Sequence, residues 1–490
     1  MAVSAMNRLG TLEEHAPQIV GLIVFTVALW AQTDDAYVGL FLADGVNLVV
    51  AKSVSLGEGL RFIHLPDQPP ATWVHPAYPF MLSFVGRIWP SFPDNLVLVQ
   101  ILDSALLGVS AWLICRHSRN LNVRPIVVCT VVAMGFVSTQ LLSLSVSAFA
   151  QPMFLALTAG AVLLVDSDKS SWLLALGTGV IVGVAILTLE LGPFVLGGVC
   201  TALIVRRRWL PTALIAAVAL ALWLPWMFWS RAIFEPATLA SSVVRAAILV
   251  GNADGGVSWF GFGPLLQLLL PGPPVVQVTG GGAAVVFFLV GSAAAAKRAT
   301  ALVAVALWCL LGAWMVPSAV PRSVWVFMPW FLVLLTIGIV RTWGVLRATR
   351  IPIAIVGFAL LVMYSSHAVI GVAGRQFAGT ISIQNEHLRR LTTSILTELP
   401  RDAVIASDLE AMIHLYTGHT VVPILTTSVE NGSADPIGYL CETNVSYIAR
   451  SGLDHPLAPT DAWIERLGDA STELFQLTNG PSLYRFTCPR

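Results

Sequence analysis

Long apolar runs recur through the first 370 residues of the chain, and they constrain its fold more than any other feature. Each run has on the order of 17–20 residues, the length that an α-helix needs to cross the hydrocarbon core of a bilayer. Only 11% of the residues are charged and the mean hydropathy is +0.79, whereas about 25% of the residues are charged in an ordinary soluble domain. We therefore predict a mainly α-helical polytopic membrane protein with about eleven transmembrane helices. The runs cover 18–33, 96–115, 125–142, 149–165, 172–188, 191–205, 210–229, 280–296, 299–317, 323–340 and 351–370.

Lysine and arginine are distributed unequally between alternate loops, and this sets the expected orientation. One set of loops carries twelve of these residues and the alternate set carries six. Because cytoplasmic loops are enriched in Lys and Arg, we expect the first set to lie in the cytoplasm. An odd number of spans then places the N-terminus inside, and the loop 34–95 and the C-terminal region outside. The formal net charge is zero, and we expect membrane lipid rather than nucleic acid as a partner.

The composition changes near residue 375, where polar residues return and short patterns replace the apolar runs. We predict two domains, a transmembrane domain 1–374 and a small C-terminal α/β domain 375–490. Cys441 and Cys488 could pair if this domain faces an oxidising compartment. The expected strands are DAVIASD, TVVPIL and VSYIAR, the expected helices are LEAMIHLYTG and DAWIERLG, and LFQLTNGPSLYRF is expected to form a hairpin at its Asn-Gly.

Three aspartates crowd into the segment that follows the first apolar run. A carboxylate at the centre of a spanning helix costs about 2.5–3.5 kcal/mol, so we place Asp34 and Asp35 at the outer membrane surface. Solvation of a helix end would explain these two as well as a functional role would. Asp44 differs because it is the lone acid of the apolar stretch GLFLADGVNLVVAKS. Carboxylates in apolar settings are often functional, and Asp44 is therefore the first candidate.

The segments ADGVNLVVAKSVSLGEGLRF (43–62) and HPAYPFMLSFVGRIWP (75–90) resemble the first outer loop of the GT-C integral membrane glycosyltransferases. That superfamily includes the protein O-mannosyltransferases and the bacterial aminoarabinose transferases. Its loop has an acidic pair, a short helix, a Gly-rich turn and a Tyr-Pro-rich start to the next helix. In this register Asp44 matches the second acid, and Ala43 stands in place of the first.

The resemblance extends along most of the chain, with departures. Relatives usually have Glu where FAQPMFLAL has Gln151, and Arg is common where AILTLELG has Leu189. The acid of the latter motif, Glu190, is kept. PRSVWVFMPWF has Arg322 at the expected place, and the segment 399–424 resembles the outer soluble domain of bacterial members.

The resemblance implies an enzyme of the bacterial inner (plasma) membrane whose loop 34–95 is catalytic. Such an enzyme moves a sugar from a polyprenyl-phosphate carrier to an acceptor on the outer face, usually with inversion. A carboxylate would act as the base and a cation would stabilise the departing phosphate. Asp44 is the preferred base, with Asp35 or Asp34 as the alternatives, and Arg322 is the preferred phosphate ligand. The further candidates for substrate binding are Lys52, Arg61, Arg245, Glu190, Tyr78 and His75.

The sequence leaves several alternatives open. Gln151 and Leu189 replace charged residues, so the chain could be an inactive GT-C-like scaffold. A transporter or flippase of lipid-linked sugars is a third possibility, although we find no paired halves of the kind that transporters often show. No cofactor is certain, and a divalent metal is possible. His64, His75 and Asp67 share the outer loop, but their spacing matches no standard metal site. The sequence names neither the sugar nor the acceptor.

Overall fold

A computed structural model of the chain describes most of the apolar region and most of the C-terminal domain. The described residues are 2–32, 37–40, 43–121, 123–167, 171–232, 274–315, 320–345, 380–424, 436–453, 461–465, 467–477 and 480–489. The predicted span 351–370 lies outside them.

The described part of the first 345 residues is almost entirely helical. Prolines occupy the first or second position of three helices, α5, α7 and α9, where the missing N–H costs no hydrogen bond. The helices are α1 (Ala2–Trp30), α2 (Ala43–Ser55), α3 (Ala77–Ile88), α4 (Leu96–His117), α5 (Pro125–Phe136), α6 (Thr139–Val146), α7 (Gln151–Val165), α8 (Trp172–Ile186), α9 (Gly192–Val205), α10 (Trp209–Ala232), α11 (Pro274–Ala295), α12 (Thr300–Met315) and α13 (Val320–Val345).

Within the described residues, two helices, α4 and α10, are long and apolar enough to cross a bilayer, and seven further apolar helical segments have 10–17 residues. The expected count of eleven spans therefore stays a prediction. The expectation of one helix over 125–142 is wrong. The chain breaks after α5, and the Ser138 hydroxyl caps α6 by accepting a hydrogen bond from the Leu141 N–H at 3.4 Å. The runs 149–165, 172–188 and 191–205 form three separate helices, α7, α8 and α9.

Glycines allow close packing inside the helical bundle. A Cβ atom added to Gly291 would lie 1.8 Å from the carbonyl oxygen of Leu334, and one added to Gly338 would lie 1.8 Å from that of Phe287. The backbones of α11 and α13 therefore touch, as small residues permit at helix contacts in membranes.

Asp166 joins four helices at one end of the bundle. Its Oδ1 accepts hydrogen bonds from Arg206 Nη2 at 2.5 Å and from the Ala301 N–H at 3.0 Å. Its Oδ2 lies 3.4 Å from His117 Nε2. The last residues of α4, α7 and α9 and the first turn of α12 therefore meet here. Arg206 belongs to the set of loops that the charge pattern places in the cytoplasm.

The outer loop has a compact structure of its own. Gly57 and Gly59 adopt positive φ angles of 84° and 82°, which explains the glycines of the GEGL turn. Arg61 and Pro70 then form an antiparallel bridge. The loop shares an apolar core with α2, α3, the start of α4 and the turn before α7.

The C-terminal domain contains a five-stranded sheet in the order β2-β1-β3-β5-β4. β1 pairs in parallel with β2 and with β3, whereas β5 runs antiparallel to β3 and β4. Separate apolar cores cover its two faces. The elements are α14 (Thr380–Glu398), β1 (Val404–Ser407), α15 (Glu410–Thr417), β2 (Thr420–Pro423), α16 (Pro436–Glu442), β3 (Tyr447–Arg450), α17 (Asp461–Glu465), β4 (Ser471–Gln476) and β5 (Ser482–Phe486).

The local predictions for this domain are confirmed. The three expected strands form, α15 ends at Gly418 with a left-handed φ of 77°, and β4 and β5 make the hairpin. A disulfide joins Cys441 and Cys488, whose Cα atoms are 5.6 Å apart. Helices α14 and α16 were not anticipated from the sequence.

Candidate functional site

Asp44 lies in the first turn of α2, and its side chain is 0% exposed. Its Oδ2 accepts a hydrogen bond from the Gly39 N–H at 2.8 Å. Gly39 has a φ of 97°, and an added Cβ would lie 2.9 Å from the Cβ of Met412. The carboxylate therefore holds the segment 37–40 in a turn that only glycine adopts easily. This segment is not helical, so a helix over 35–44, which would have separated Asp35 from Asp44 by about 14 Å, does not form.

Helix α15 of the C-terminal domain covers this turn. A Cβ added to Gly45 would lie 2.8 Å from the Cβ of Ala411, so α15 lies directly on α2. The Tyr416 hydroxyl accepts a hydrogen bond from the Val38 N–H at 3.3 Å, and the Tyr416 ring lies 4.5 Å from that of Tyr37. The C-terminal domain is therefore built into the surroundings of Asp44.

Tyr78 and Asp103 form a buried pair beside the same core. The Tyr78 hydroxyl donates a hydrogen bond to Asp103 Oδ2 at 2.8 Å, and both side chains are 0% exposed. Burial, Asp103 and the charge of Asp44 all raise the pKa of Tyr78. With no exposed face in this conformation, the Tyr78 ring cannot stack on a sugar as expected from the sequence. Its role here is to bind the carboxylate of Asp103.

His75 and Glu190 come together as a second pair. His75 Nε2 lies 3.6 Å from Glu190 Oε2, and the two side chains are 32% and 40% exposed. The Ala77 N–H donates to the carbonyl of Leu187 at 2.9 Å, which fixes the start of α3 to the turn between α8 and α9. These two candidates are partly accessible and lie at the same end of the bundle.

The remaining cations of the outer loop differ in their surroundings. Lys52 lies in the last turn of α2, and partial burial lowers its pKa. Arg61 is exposed and donates to the Gln68 carbonyl at 3.1 Å, within its own loop.

The direction of α12 shows which end of the bundle carries Arg322. Gly198 packs on Val305 while Gly312 packs on Phe194, so α9 and α12 are antiparallel. Because α12 begins at the Asp166 end and its 16 residues span about 24 Å, it ends near the start of α9, beside Glu190.

Helix α13 begins at Val320, a few residues after α12, and Arg322 lies in its first turn. Its backbone is thus at the Glu190 end of the bundle. The side chain of Arg322 lies outside the described part of the structure, as do Asp34, Asp35 and Arg245. Across the described residues, no group of three or more His, Cys, Asp or Glu residues could hold a metal ion.

The whole architecture matches that of a solved membrane glycosyltransferase. The structure of ArnT from Cupriavidus metallidurans bound to undecaprenyl phosphate aligns with a TM-score of 0.54, over 96% of this chain and 97% of that chain, at 12% identity. This chain has a GT-C-like fold. The apo structure of the same ArnT aligns with a TM-score of 0.52, over 99% and 98% of the two chains, at 12% identity. No protein-family model and no curated protein matches the sequence.

Two features of this GT-C-like site were missed from the sequence. Asp103 interrupts the apolar run 96–115, and an acid inside a spanning helix is itself a functional signal. Tyr416 offered no comparable signal, because its contact with Val38 joins residues that are 378 positions apart.

Proposed function

We propose that this chain is a glycosyltransferase that moves a sugar from a polyprenyl-phosphate carrier to an acceptor at the outer membrane face, with inversion. The observation that carries the proposal is the fold, which matches nearly the full length of an ArnT structure bound to undecaprenyl phosphate. The aspartates, Lys52, the His75–Glu190 pair and the start of α13 belong to the end of the bundle opposite Asp166. The sugar and the acceptor stay undefined.

The proposed reaction exchanges one bond at the anomeric carbon for another. An acceptor hydroxyl attacks that carbon, and an aspartate of the segment 34–44 takes its proton. The bond from the sugar to the lipid phosphate breaks, and the phosphate leaves with the electron pair. Arg322 and Lys52 would stabilise the charge that develops on this phosphate. A low dielectric at the membrane boundary strengthens both electrostatic interactions.

The candidate aspartates make different demands on the structure. Asp44 can meet an acceptor only if the segment 37–40 or α15 moves, because its side chain is fully buried and bonded to Gly39. If Asp34 or Asp35 is the base, Asp44 acts by holding the turn that follows them.

Substitutions at Asp44 distinguish these roles. Asn keeps an oxygen that can accept the Gly39 N–H but cannot serve as a base. If Asp44 is the base, Asp44→Asn and Asp44→Ala should both reduce transfer by at least about 100-fold, the usual contribution of general base catalysis. If Asp44 only holds the turn, Asn should retain most activity, Ala should lose it, and Asp34→Asn or Asp35→Asn should be inactive.

The assay would follow release of polyprenyl phosphate from a labelled lipid-linked sugar in membranes that contain the protein. Asp94→Asn, an exposed acid of the same loop, is the matched control. Full activity in all three single Asp→Asn variants would refute the proposal of an aspartate base. Lipid-linked sugar that moves between leaflets without being consumed would indicate a transporter instead.

An inactive GT-C-like scaffold is the second candidate function. Gln151 is 8% exposed and Leu189 is 7% exposed, so two uncharged, buried side chains stand where relatives carry charge. Failure to consume any carrier from a panel of polyprenyl-phosphate sugars, by folded protein, would favour this function.

We also propose a plasma-membrane location with the C-terminal domain outside and the N-terminus in the cytoplasm. The Cys441–Cys488 disulfide supports this orientation, because disulfides persist in oxidising compartments. Membrane-impermeant labelling of single cysteines placed in each domain would test it; labelling of the C-terminal domain only after lysis would reverse the orientation.

A further inference from the structure

Two imidazoles from distant parts of the chain meet between the outer loop and the C-terminal domain. His64 lies in the loop between α2 and α3, and His414 lies in α15. Their ring centroids are 6.1 Å apart with an interplanar angle of 57°, and the residues are 0% and 7% exposed. The backbone joins the same regions, because the Val421 N–H donates to the carbonyl of His64 at 2.7 Å.

The ring nitrogens of this pair have an unusual arrangement. His414 Nδ1 lies 2.8 Å from the carbonyl oxygen of His419. Since a carbonyl only accepts, Nδ1 carries the proton and Nε2 has a lone pair. His414 Nε2 and both ring nitrogens of His64 are buried without hydrogen-bond partners in the described structure. Unpaired buried nitrogens are costly and require an explanation such as a bound ion or water.

Both imidazoles are in the state that a metal requires. Burial lowers the pKa of His64 to about 3 and that of His414 to about 4, so both rings are neutral at neutral pH and keep their lone pairs. The bond from His414 Nδ1 to a backbone carbonyl is the usual outer contact of a metal-bound histidine, and it fixes the tautomer and the orientation of the ring.

The separation of the rings leaves room for one ion. A direct N–H···N hydrogen bond between two imidazoles requires centroids about 5 Å apart, which is shorter than the observed 6.1 Å. Two imidazoles on one metal, with metal–nitrogen distances of about 2.0–2.1 Å, bring their centroids to roughly 5–6 Å. Imidazole suits zinc and copper, and two neutral ligands in an apolar site favour an ion of low charge.

We propose that His64 and His414 bind one late transition-metal ion, Cu⁺ or Zn²⁺, which joins the outer loop to the C-terminal domain. The ion would stabilise the contact between α15 and α2 that covers Asp44. This site does not depend on the proposed transferase activity, and its test does not use that activity.

The test uses the full-length protein in detergent, without a polyhistidine tag, after chelation and dialysis. Zn²⁺ and Cu⁺ (with ascorbate) are added in separate arms. We expect one ion per chain in at least one arm and a rise in the melting temperature. His64→Leu and His414→Leu should each weaken binding by at least about 100-fold, while the matched control His387→Asn should bind as the original protein does.

X-ray absorption of the loaded protein provides a measurement that needs no variant. Two imidazole nitrogens at about 1.9–2.1 Å would support the proposal. Binding of neither ion by the folded protein, full binding by folded His64→Leu, or a spectrum without imidazole scattering would overturn it.

Discussion

Glu410 gives the sharpest prediction of a pH effect on the fold. It begins α15, its side chain is 1% exposed, and its Oε1 has no hydrogen-bond partner in the described structure. Burial, with a smaller contribution from the charge of Asp408, raises its pKa from 4.5 to about 8. The folded domain therefore keeps a proton on Glu410 at neutral pH, whereas the unfolded chain releases it near pH 4.5.

The sign of the effect follows from this proton. Between about pH 4.5 and 8 the folded state binds more protons than the unfolded state, so this contribution to stability declines as pH rises. Each unit is worth about 1.4 kcal/mol. The free energy lost between pH 5 and 7 is therefore about 3 kcal/mol, roughly a 100-fold change in the opening equilibrium.

Amide hydrogen exchange of the full-length protein would measure this change in peptides from β1, α15 and β2, after correction for the chemical exchange rate. We expect protection in Glu410→Gln to exceed that of the original protein by about 3 kcal/mol more at pH 7 than at pH 5. Comparison with the variant also cancels His64 and His414, whose lowered pKa values act in the opposite direction in this range. Glu442→Gln, an exposed glutamate of the same domain, is the control. Equal pH dependence in Glu410→Gln and the original protein would refute the reasoning.

Three further predictions concern packing and cross-links. Gly45→Val places a side chain where an added Cβ is already 2.8 Å from that of Ala411; it should cost about 1–3 kcal/mol of protection in α15, and unchanged exchange there would contradict the close contact. Asp166→Ala leaves an unpaired buried guanidinium and should cost about 3–5 kcal/mol, seen as a lower melting temperature of the whole protein. Replacing Cys441 and Cys488 by alanine opens a link with a sequence separation of 47 and should cost about 4 kcal/mol, measured by exchange in the sheet with reductant-treated protein as the comparison.

Apolar periodicity and local turn chemistry carried much of the fold. The pattern of LEAMIHLYTG contains its own helix and its own terminating glycine, and both appear as α15 and Gly418. The hairpin of β4 and β5 follows from alternation on either side of Asn-Gly. The division of 125–142 into two helices escaped this reasoning, because a serine cap inside an apolar run has little effect on hydropathy.

The candidate site depended much less on local pattern. The sequence singled out Asp44 as an acid in an apolar stretch, and it also paired the chain with the GT-C fold. It did not show that Asp44 bonds to Gly39 beneath α15, that Tyr78 is consumed by Asp103, or that His64 meets His414.

By itself, then, the amino-acid sequence determined the helical membrane-type architecture, the α/β character of the C-terminal domain and the order of its strands and helices along the chain. These follow from hydrophobicity, backbone preference and capping, which act over a few neighbouring residues. Only the tertiary structure decided which side chains of the outer loop are buried, and by what. The C-terminal helix that covers Asp44 is more than 360 residues away in the chain, and contacts over such distances depend on the path of the folded backbone.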